Sequence, residues 1–198
     1  MKHLALLFAL FFVVGCSDNS DQLDDIFKVY SLEMFDINND GELSQAEKDV
    51  VTEINVTGKD IHSLKGIEQF KNLKNLYCDY NRLTSLDLSQ NTRLRMLSCQ
   101  GNQLTNLDLS ANTRLETLDC SDNQLTTLDL HQNTKLSFLL CYRNKLTTLD
   151  ISKNRRIHSL SVHMEGLLET LYVWKGFNKN RLNLEYSYIE DNTQIIIK

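Results

Sequence analysis

Leu73, Leu94, Leu115, Leu136 and Ile157 stand at a constant interval of 21 residues. The columns beneath them keep the same step: Leu76, Leu97, Leu118, Leu139 and Leu160; Cys78, Cys99, Cys120, Cys141 and Val162; Asn81, Asn102, Asn123 and Asn144. A unit this short cannot bury its own apolar residues, so the units must stack and share one continuous core. Each unit is itself double. It contains Leu-x-Cys-x-x-Asn (Leu76, Cys78, Asn81) and then Leu-x-Leu-x-x-Asn (Leu86, Leu88, Asn91). Alternating apolar residues place two side chains on one face of a short extended segment. The Asn three residues later falls where the chain must turn, and its amide can bond the backbone groups the turn frees. Stacked in register, Asn81-Asn102-Asn123-Asn144 and Asn91-Asn112-Asn133-Asn154 become two internal ladders.

The pattern L-x-x-L-x-C-x-x-N-x-L-T-x-L-D-L-S-x-N-T-x resembles the leucine-rich repeat, in the compact form common in bacterial surface lipoproteins. Residues 63–73, Ser-Leu-Lys-Gly-Ile-Glu-Gln-Phe-Lys-Asn-Leu, resemble the repeats of internalin-type surface proteins. The resemblance implies an α+β repeat solenoid, a right-handed coil with a parallel sheet on its concave side. The formal charge of −5 argues against nucleic acid as a partner.

The first residues read as an address. Met1-Lys2-His3 and the apolar run Leu4–Val14 are too short to span a bilayer and suit a secretion signal over 1–15. Val13-Val14-Gly15-Cys16 resembles a bacterial lipobox, which implies a lipid on Cys16, a tether over 16–22 and an outer-membrane lipoprotein of the cell envelope.

Leu23, Ile26, Phe27, Tyr30 and Met34 follow helical spacing, so Gln22–Phe35 reads as an amphipathic helix. The next twelve residues fit the EF-hand calcium loop. Asp36, Asn38 and Asp40 offer side-chain oxygens, Glu42 its carbonyl, Ser44 an oxygen directly or through water, and Glu47 two oxygens. Gly41 permits the sharp turn, and Ca²⁺, a hard ion, takes six to eight such ligands. Ser44 and Glu47 also spell a capping box for an exiting helix whose apolar face is Val50, Val51 and Ile54. Residues 23–54 are therefore expected to cap the solenoid's first edge, with calcium in a structural role. Repeats follow over 55–164. Over 165–198 the register decays, and Leu182, Leu184, Tyr186 and Tyr188, then Gln194–Ile197, suggest a β-hairpin sealing the last edge.

Several constellations invite chemistry and do not support it. A straight column of four cysteines cannot surround a metal tetrahedrally and suits disulfide geometry poorly, and Val162 takes the fifth place, so these are core thiols. Asp87, Asp108, Asp129 and Asp150 recur on every rung and cannot mark one active site. His158 and His163 lack a third ligand. Catalysis is not expected. The variable positions of the concave strands carry Tyr77, Tyr80, Asp119, Asp122, Phe138, Leu140, Tyr142 and Arg143, a strip reading apolar–acidic–apolar with Arg143 at its margin. Aromatic anchors on a rigid face predict a binding site for a protein, peptide or glycan on a monomeric module. A ligand-free envelope spacer, or a non-catalytic subunit of a surface hydrolase or uptake complex, are the alternatives.

Overall fold

The computed structural model describes residues 25–163, 167–178, 180, 189 and 191–198. The expected leader, Cys16 and the tether lie outside these residues, as does the strand expected around Leu182–Tyr188. Among the described residues no helix is long and apolar enough to cross a membrane.

Two helices, α1 (Asp25–Phe35) and α2 (Gln45–Val50), precede β1 (Glu53–Asn55). The coil then lays down β2 (Asn75–Tyr77), β3 (Met96–Ser98), β4 (Thr117–Asp119), β5 (Phe138–Leu140) and β7 (Ser159–Ser161) as a six-stranded sheet in the order β1-β2-β3-β4-β5-β7. Every pairing is parallel, and Leu76, Leu97, Leu118, Leu139 and Leu160 face one another in register, as the 21-residue period requires. These leucines and the cysteines are fully buried, and the four thiols are free. Burial pushes the cysteine thiols well above their ordinary range, so they remain protonated.

What holds rung to rung is the asparagine. Asn102 donates through Nδ2 to the Cys78 and Cys99 carbonyls, both at 3.0 Å, and its Oδ1 accepts the Leu83 N–H at 3.0 Å. Asn123 and Asn144 repeat this pattern. The second ladder is one-sided. Asn112 Nδ2 donates to the carbonyls of Leu88 and Asn91 at 3.1 Å each, and its buried Oδ1 has no hydrogen bond.

The ends depart from the repeat. In α1, Phe27 is buried and Phe35 packs on the core, but Met34 is 60% exposed, contrary to the expected apolar face. The reason is the target: Phe27 and Phe35 both meet Phe70 of the first repeat edge-on, with ring centroids 6.2 and 5.7 Å away, and Met34 lies off that line. The expected exit-helix face also needs correction. α2 is only six residues long, Val51 is already extended, Ile54 belongs to β1, and Val50 is 65% exposed. Asn72 Nδ2 to the Asp49 carbonyl and Lys48 Nζ to Gln69 Oε1, both 2.7 Å, fasten this short helix to the first repeat.

At the far end β6 (Thr148–Asp150), β8 (Thr170–Val173) and β9 (Gln194–Ile197) form a second, three-stranded parallel sheet from the second half-repeats. The closing strand expected as one arm of a hairpin thus pairs parallel with β8, Ile195 opposite Leu171. Ile195 sits in the leucine column of the second half-repeat, so the coil's own direction sets the strand's.

Asn102→Ala leaves the buried Leu83 N–H without its partner and takes one of two asparagine donors from each of the Cys78 and Cys99 carbonyls, and it is expected to lower stability by about 1–3 kcal/mol. Cys99→Val, the residue the chain itself uses at position 162, should cost less than about 1.5 kcal/mol. Denaturant unfolding of the two variants checks this, and equal losses would mean that the ladder amide is dispensable.

Candidate binding surface

Beyond each concave strand the chain stays extended for two residues and then turns through a left-handed residue: Tyr80, Gly101, Asp122 and Arg143, with φ of 52°, 66°, 52° and 50°. Non-glycine residues adopt this region at a cost of order 1 kcal/mol. The ladder enforces it, because each following Asn donates to the carbonyl two residues before it, for instance Asn123 to Ser121 at 3.1 Å. Every rung therefore presents one residue from each of four columns. The column before the turn is Asp79, Gln100, Ser121, Tyr142 and His163.

Tyr80 lies over the next rung. A Cβ on Gly101 would meet Tyr80 Cδ1 at 2.6 Å, so only glycine lets that ring rest on the backbone, and Tyr80 remains 60% exposed. Tyr142 leans the opposite way. Its hydroxyl reaches back two rungs to Gln100 Nε2 at 2.7 Å, and the same amide nitrogen donates to Asp122 Oδ2 at 3.0 Å. Ser121, the smallest residue of its column, lies between Gln100 and Tyr142 and is fully buried. The sequence reading set two aromatic clusters three rungs apart. The strand register keeps these clusters three rungs apart, and across that span Tyr80 leans forward over Gly101 while Tyr142 leans back to Gln100.

Three carboxylates line the floor. Asp79 accepts the Ser98 hydroxyl at 2.6 Å and the Gln100 N–H at 2.8 Å. Asp122 meets Arg143 Nη1 at 3.4 Å. Asp119, at the end of β4, accepts the Ser121 N–H at 3.0 Å. Burial, and then the nearby charges of Asp79 and Asp122, push its carboxyl above the usual aspartate range. Burial, and then Asp119 and Asp122 of the preceding rung, raise the Tyr142 phenol. Phe138 and Leu140 of β5 are half-buried beside Thr117 and Asp119, and Tyr77 of β2 heads the Asp119 column, one strand before Ser98. Gln100 is one of the variable concave positions of the sequence, but nothing there singled it out. The signal that could have done so is the column itself, a long amide and a tyrosine 21 residues to either side of a serine.

The loop over 36–47 is a second candidate site. Asn39 and Gly41 take φ of 58° and 84°, and no heavy atom lies within 4 Å of a Cβ placed on Gly41. Asp36, Asn38 and Asp40 turn their oxygens onto loop N–H groups, at 2.9 Å for Gly41 to Asp36, Asp40 to Asn38 and Glu42 to Asp40. Glu47 closes the loop at both ends, accepting the Ile37 N–H at 2.8 Å, the Ser44 N–H at 2.9 Å and the Ser44 hydroxyl at 2.8 Å. The Ser44 bonds foremost hold its carboxyl below the usual range. An all-oxygen set on this backbone fits a hard divalent cation. Among the described residues no three His, Cys, Asp or Glu side chains converge on one point.

On the second half-repeats Asp87 and Asp108 accept the N–H two residues on, at 2.9 Å each, and those bonds lower their carboxyls. This is turn structure.

A family profile for leucine-rich repeats, two copies, matches residues 92–140. The chain is a leucine-rich-repeat coil. The functional domain of InlJ from Listeria monocytogenes, described as including a cysteine ladder, is 37% identical, with 66% of this chain and 32% of that one covered and a TM-score of 0.60. This chain thus spans about a third of that structure's length. Internalin C2 of the same organism is 22% identical over 77% of this chain and 73% of that one, TM-score 0.58. A leucine-rich-repeat protein of Leptospira interrogans is 17% identical over 77% and 44%, TM-score 0.56, and shares the fold. A search of curated proteins returned no match.

Because the folded-state pKa of Asp119 is raised, ionising it works against the repeat coil, and that penalty fades as pH falls through the folded pKa. Asp119→Asn keeps an oxygen for the Ser121 N–H and removes the charge. It should melt above the wild type at pH 7, with the gap closing as pH falls into the carboxylate range. A lower melting temperature at pH 7 would mean that Asp119 is stabilised by its surroundings.

Proposed function

We propose that this protein is a lipid-anchored binding module of the bacterial cell envelope, recognising a protein, peptide or glycan on the concave face of its repeats. The observation that carries this is the strip where Tyr80, Gln100, Asp122 and Tyr142 from four successive rungs meet over a desolvated carboxylate. A core needs none of these residues, and Gln100, Asp122 and Tyr142 are tied to one another before any ligand arrives, which lowers the entropy lost on binding. The envelope location rests on the lipobox-like Val13-Val14-Gly15-Cys16, and the internalin-type neighbours agree with it. No catalytic step is assigned.

The loop over 36–47 would hold Ca²⁺ through Asp36, Asn38, Asp40, Glu42, Ser44 and Glu47. The ion would supply positive charge and a rigid clasp at the first edge of the coil. α2 is tied to the first repeat, so whatever stiffens the loop also stiffens the coil's cover.

In a pull-down from the native envelope by the full chain in detergent, one component should bind saturably. Replacing Phe138 and Tyr142 together by Ala should weaken it by about 2 kcal/mol or more, as for interface hot spots. Asp87→Asn with Asp108→Asn should leave affinity unchanged. The opposite pattern would move the site to the other face, and no saturable component at all would leave a spacer.

Millimolar Ca²⁺ should raise the melting temperature, since a ligand of the folded state alone stabilises it. Asp36→Ala or Glu47→Ala should abolish the rise, and Mg²⁺ should do less. Identical melting curves in Ca²⁺ and in chelator would remove calcium from the account.

A further inference from the structure

The turn that leads back into each concave strand carries charge of one sign. The five turns at 71–74, 92–95, 113–116, 134–137 and 155–158 hold eight Lys or Arg and one carboxylate, Glu116, in a chain whose formal charge is −5. All nine are exposed. The backbone stacks them. The Arg95 N–H donates to the Lys74 carbonyl at 2.7 Å, Glu116 to Arg95 at 2.8 Å, Ser137 to Glu116 at 2.9 Å and His158 to Ser137 at 3.0 Å. The second asparagine ladder fixes each turn just ahead of its charge: Asn112 donates to the Asn91 carbonyl at 3.1 Å and Asn133 to that of Asn112 at 3.0 Å. Arg93, Arg114, Lys135 and Arg156 therefore start from anchor points one rung, about 4.8 Å, apart, in a row along the coil axis.

Stacked like charges repel, and this row is poorly neutralised. Glu116 lies 3.7 Å from Arg95, Arg93 is bonded to the neutral Asn72 amide, and Lys71 to Gln90. Among the described residues no carboxylate pairs with Arg114, Lys135, Arg155 or Arg156.

What the edge lacks narrows the partner. Among the described residues none of the exposed large apolar side chains belongs to these turns, so nothing there enters a lipid surface or stacks a nucleic-acid base. An extended acidic peptide shows one face every second residue, about 6.6 Å, and duplex phosphates follow at about 3.4 Å along a strand, so both run out of step with rungs of about 4.8 Å. A polysaccharide with a carboxylate on every sugar comes near one charge per rung. The exposed Thr92, Thr113 and Thr134, each next to its cation, offer hydroxyls to those of the sugars.

We propose that this basic edge binds a linear acidic polysaccharide laid along the coil axis, one anionic sugar to a rung. The site is separate from the concave face, since its residues precede strands β2–β5 and the concave strip lies on and beyond them. The polymer's carboxylates displace the small counterions that the stacked cations gather, and their release drives association.

Binding of fluorescent polygalacturonate, with a carboxylate on every sugar, is measured with the full-length protein in neutral detergent, and dextran serves as the uncharged control. Polygalacturonate should bind and dextran should not. Arg114→Gln with Lys135→Gln should weaken binding about ten-fold or more and lower the slope of log affinity on log salt by about two, at an unchanged melting temperature. Lys59→Gln with Lys145→Gln removes the same charge from turns that follow the concave strands and should leave affinity unchanged, as should Phe138→Ala with Tyr142→Ala. A loss no greater in the first variant than in the second would reduce the row to solvated charge, and no binding at all would overturn it outright. Neither result bears on the concave-face ligand. Displacement at equal charge by polyglutamate, or by phosphatidylglycerol added to the micelles, would make the partner an acidic peptide or a lipid surface and overturn the glycan.

Discussion

The hydrogen bond on which the molecule depends is the one from an asparagine amide to the carbonyl of the rung before it. A coil that turns twice in each unit of 21 residues breaks its strand ladders at every turn. Buried backbone groups left there without partners would each cost about 1–3 kcal/mol. Asn102 answers three of them at once, two carbonyls by donation and one N–H by acceptance. Its short side chain does so from inside the coil, where a serine could not reach and a glutamine would not fit the turn. Leucine burial supplies the driving force, but it is non-directional. The amide sets the register.

The same bond shapes the candidate binding surface. To bring Asn123 inward the chain must reverse just before it, and this is why Tyr80, Asp122 and Arg143 accept a left-handed backbone. The reversal lifts the residues on its outer side onto the concave face, one per rung, at the strand spacing of about 4.8 Å. A side chain can then find neighbours one or two rungs away. Tyr142 does so with Gln100, 42 positions earlier in the chain. Gly101 is the complementary device, a vacancy that admits the Tyr80 ring. Scaffold columns and surface columns are thus separate in sequence and inseparable in geometry.

That separation explains what the sequence could reveal. The period, the ladders, the core thiols and the Ser44–Glu47 capping box were legible because each is either repeated or local, and the structure realises them. The limits of α2 were not legible. Val50, Val51 and Ile54 carry helical spacing, yet Ile54 is claimed by Leu76 of the next strand, a contact 22 residues away that local pattern does not encode. Met34 failed for a related reason, since which face of α1 is apolar depends on where Phe70 stands. On the concave face the residues of the candidate strip were visible as variable positions, but the lean of Tyr80 over Gly101 and of Tyr142 to Gln100 was not. Direction along the rungs is set by which neighbour is small, Gly101 for one and Ser121 for the other. Smallness at a variable position carries no mark in a single sequence.

A surface of this design places its energetic cost where it is most useful. Asp119 is held half-buried among like charges, against its own preference, by a β4 strand paired on both sides. An isolated loop would relax by swinging the carboxylate into water. A strand fixed by two ladders holds the backbone at Asp119 in place, so the cost of its charge persists in the folded coil. The candidate strip lies on the regular middle rungs and not on the irregular ends. One substitution in a surface column changes the recognised chemistry by one group while every ladder bond beneath it stays in place. A coil of this kind can therefore vary what it binds without renegotiating how it folds.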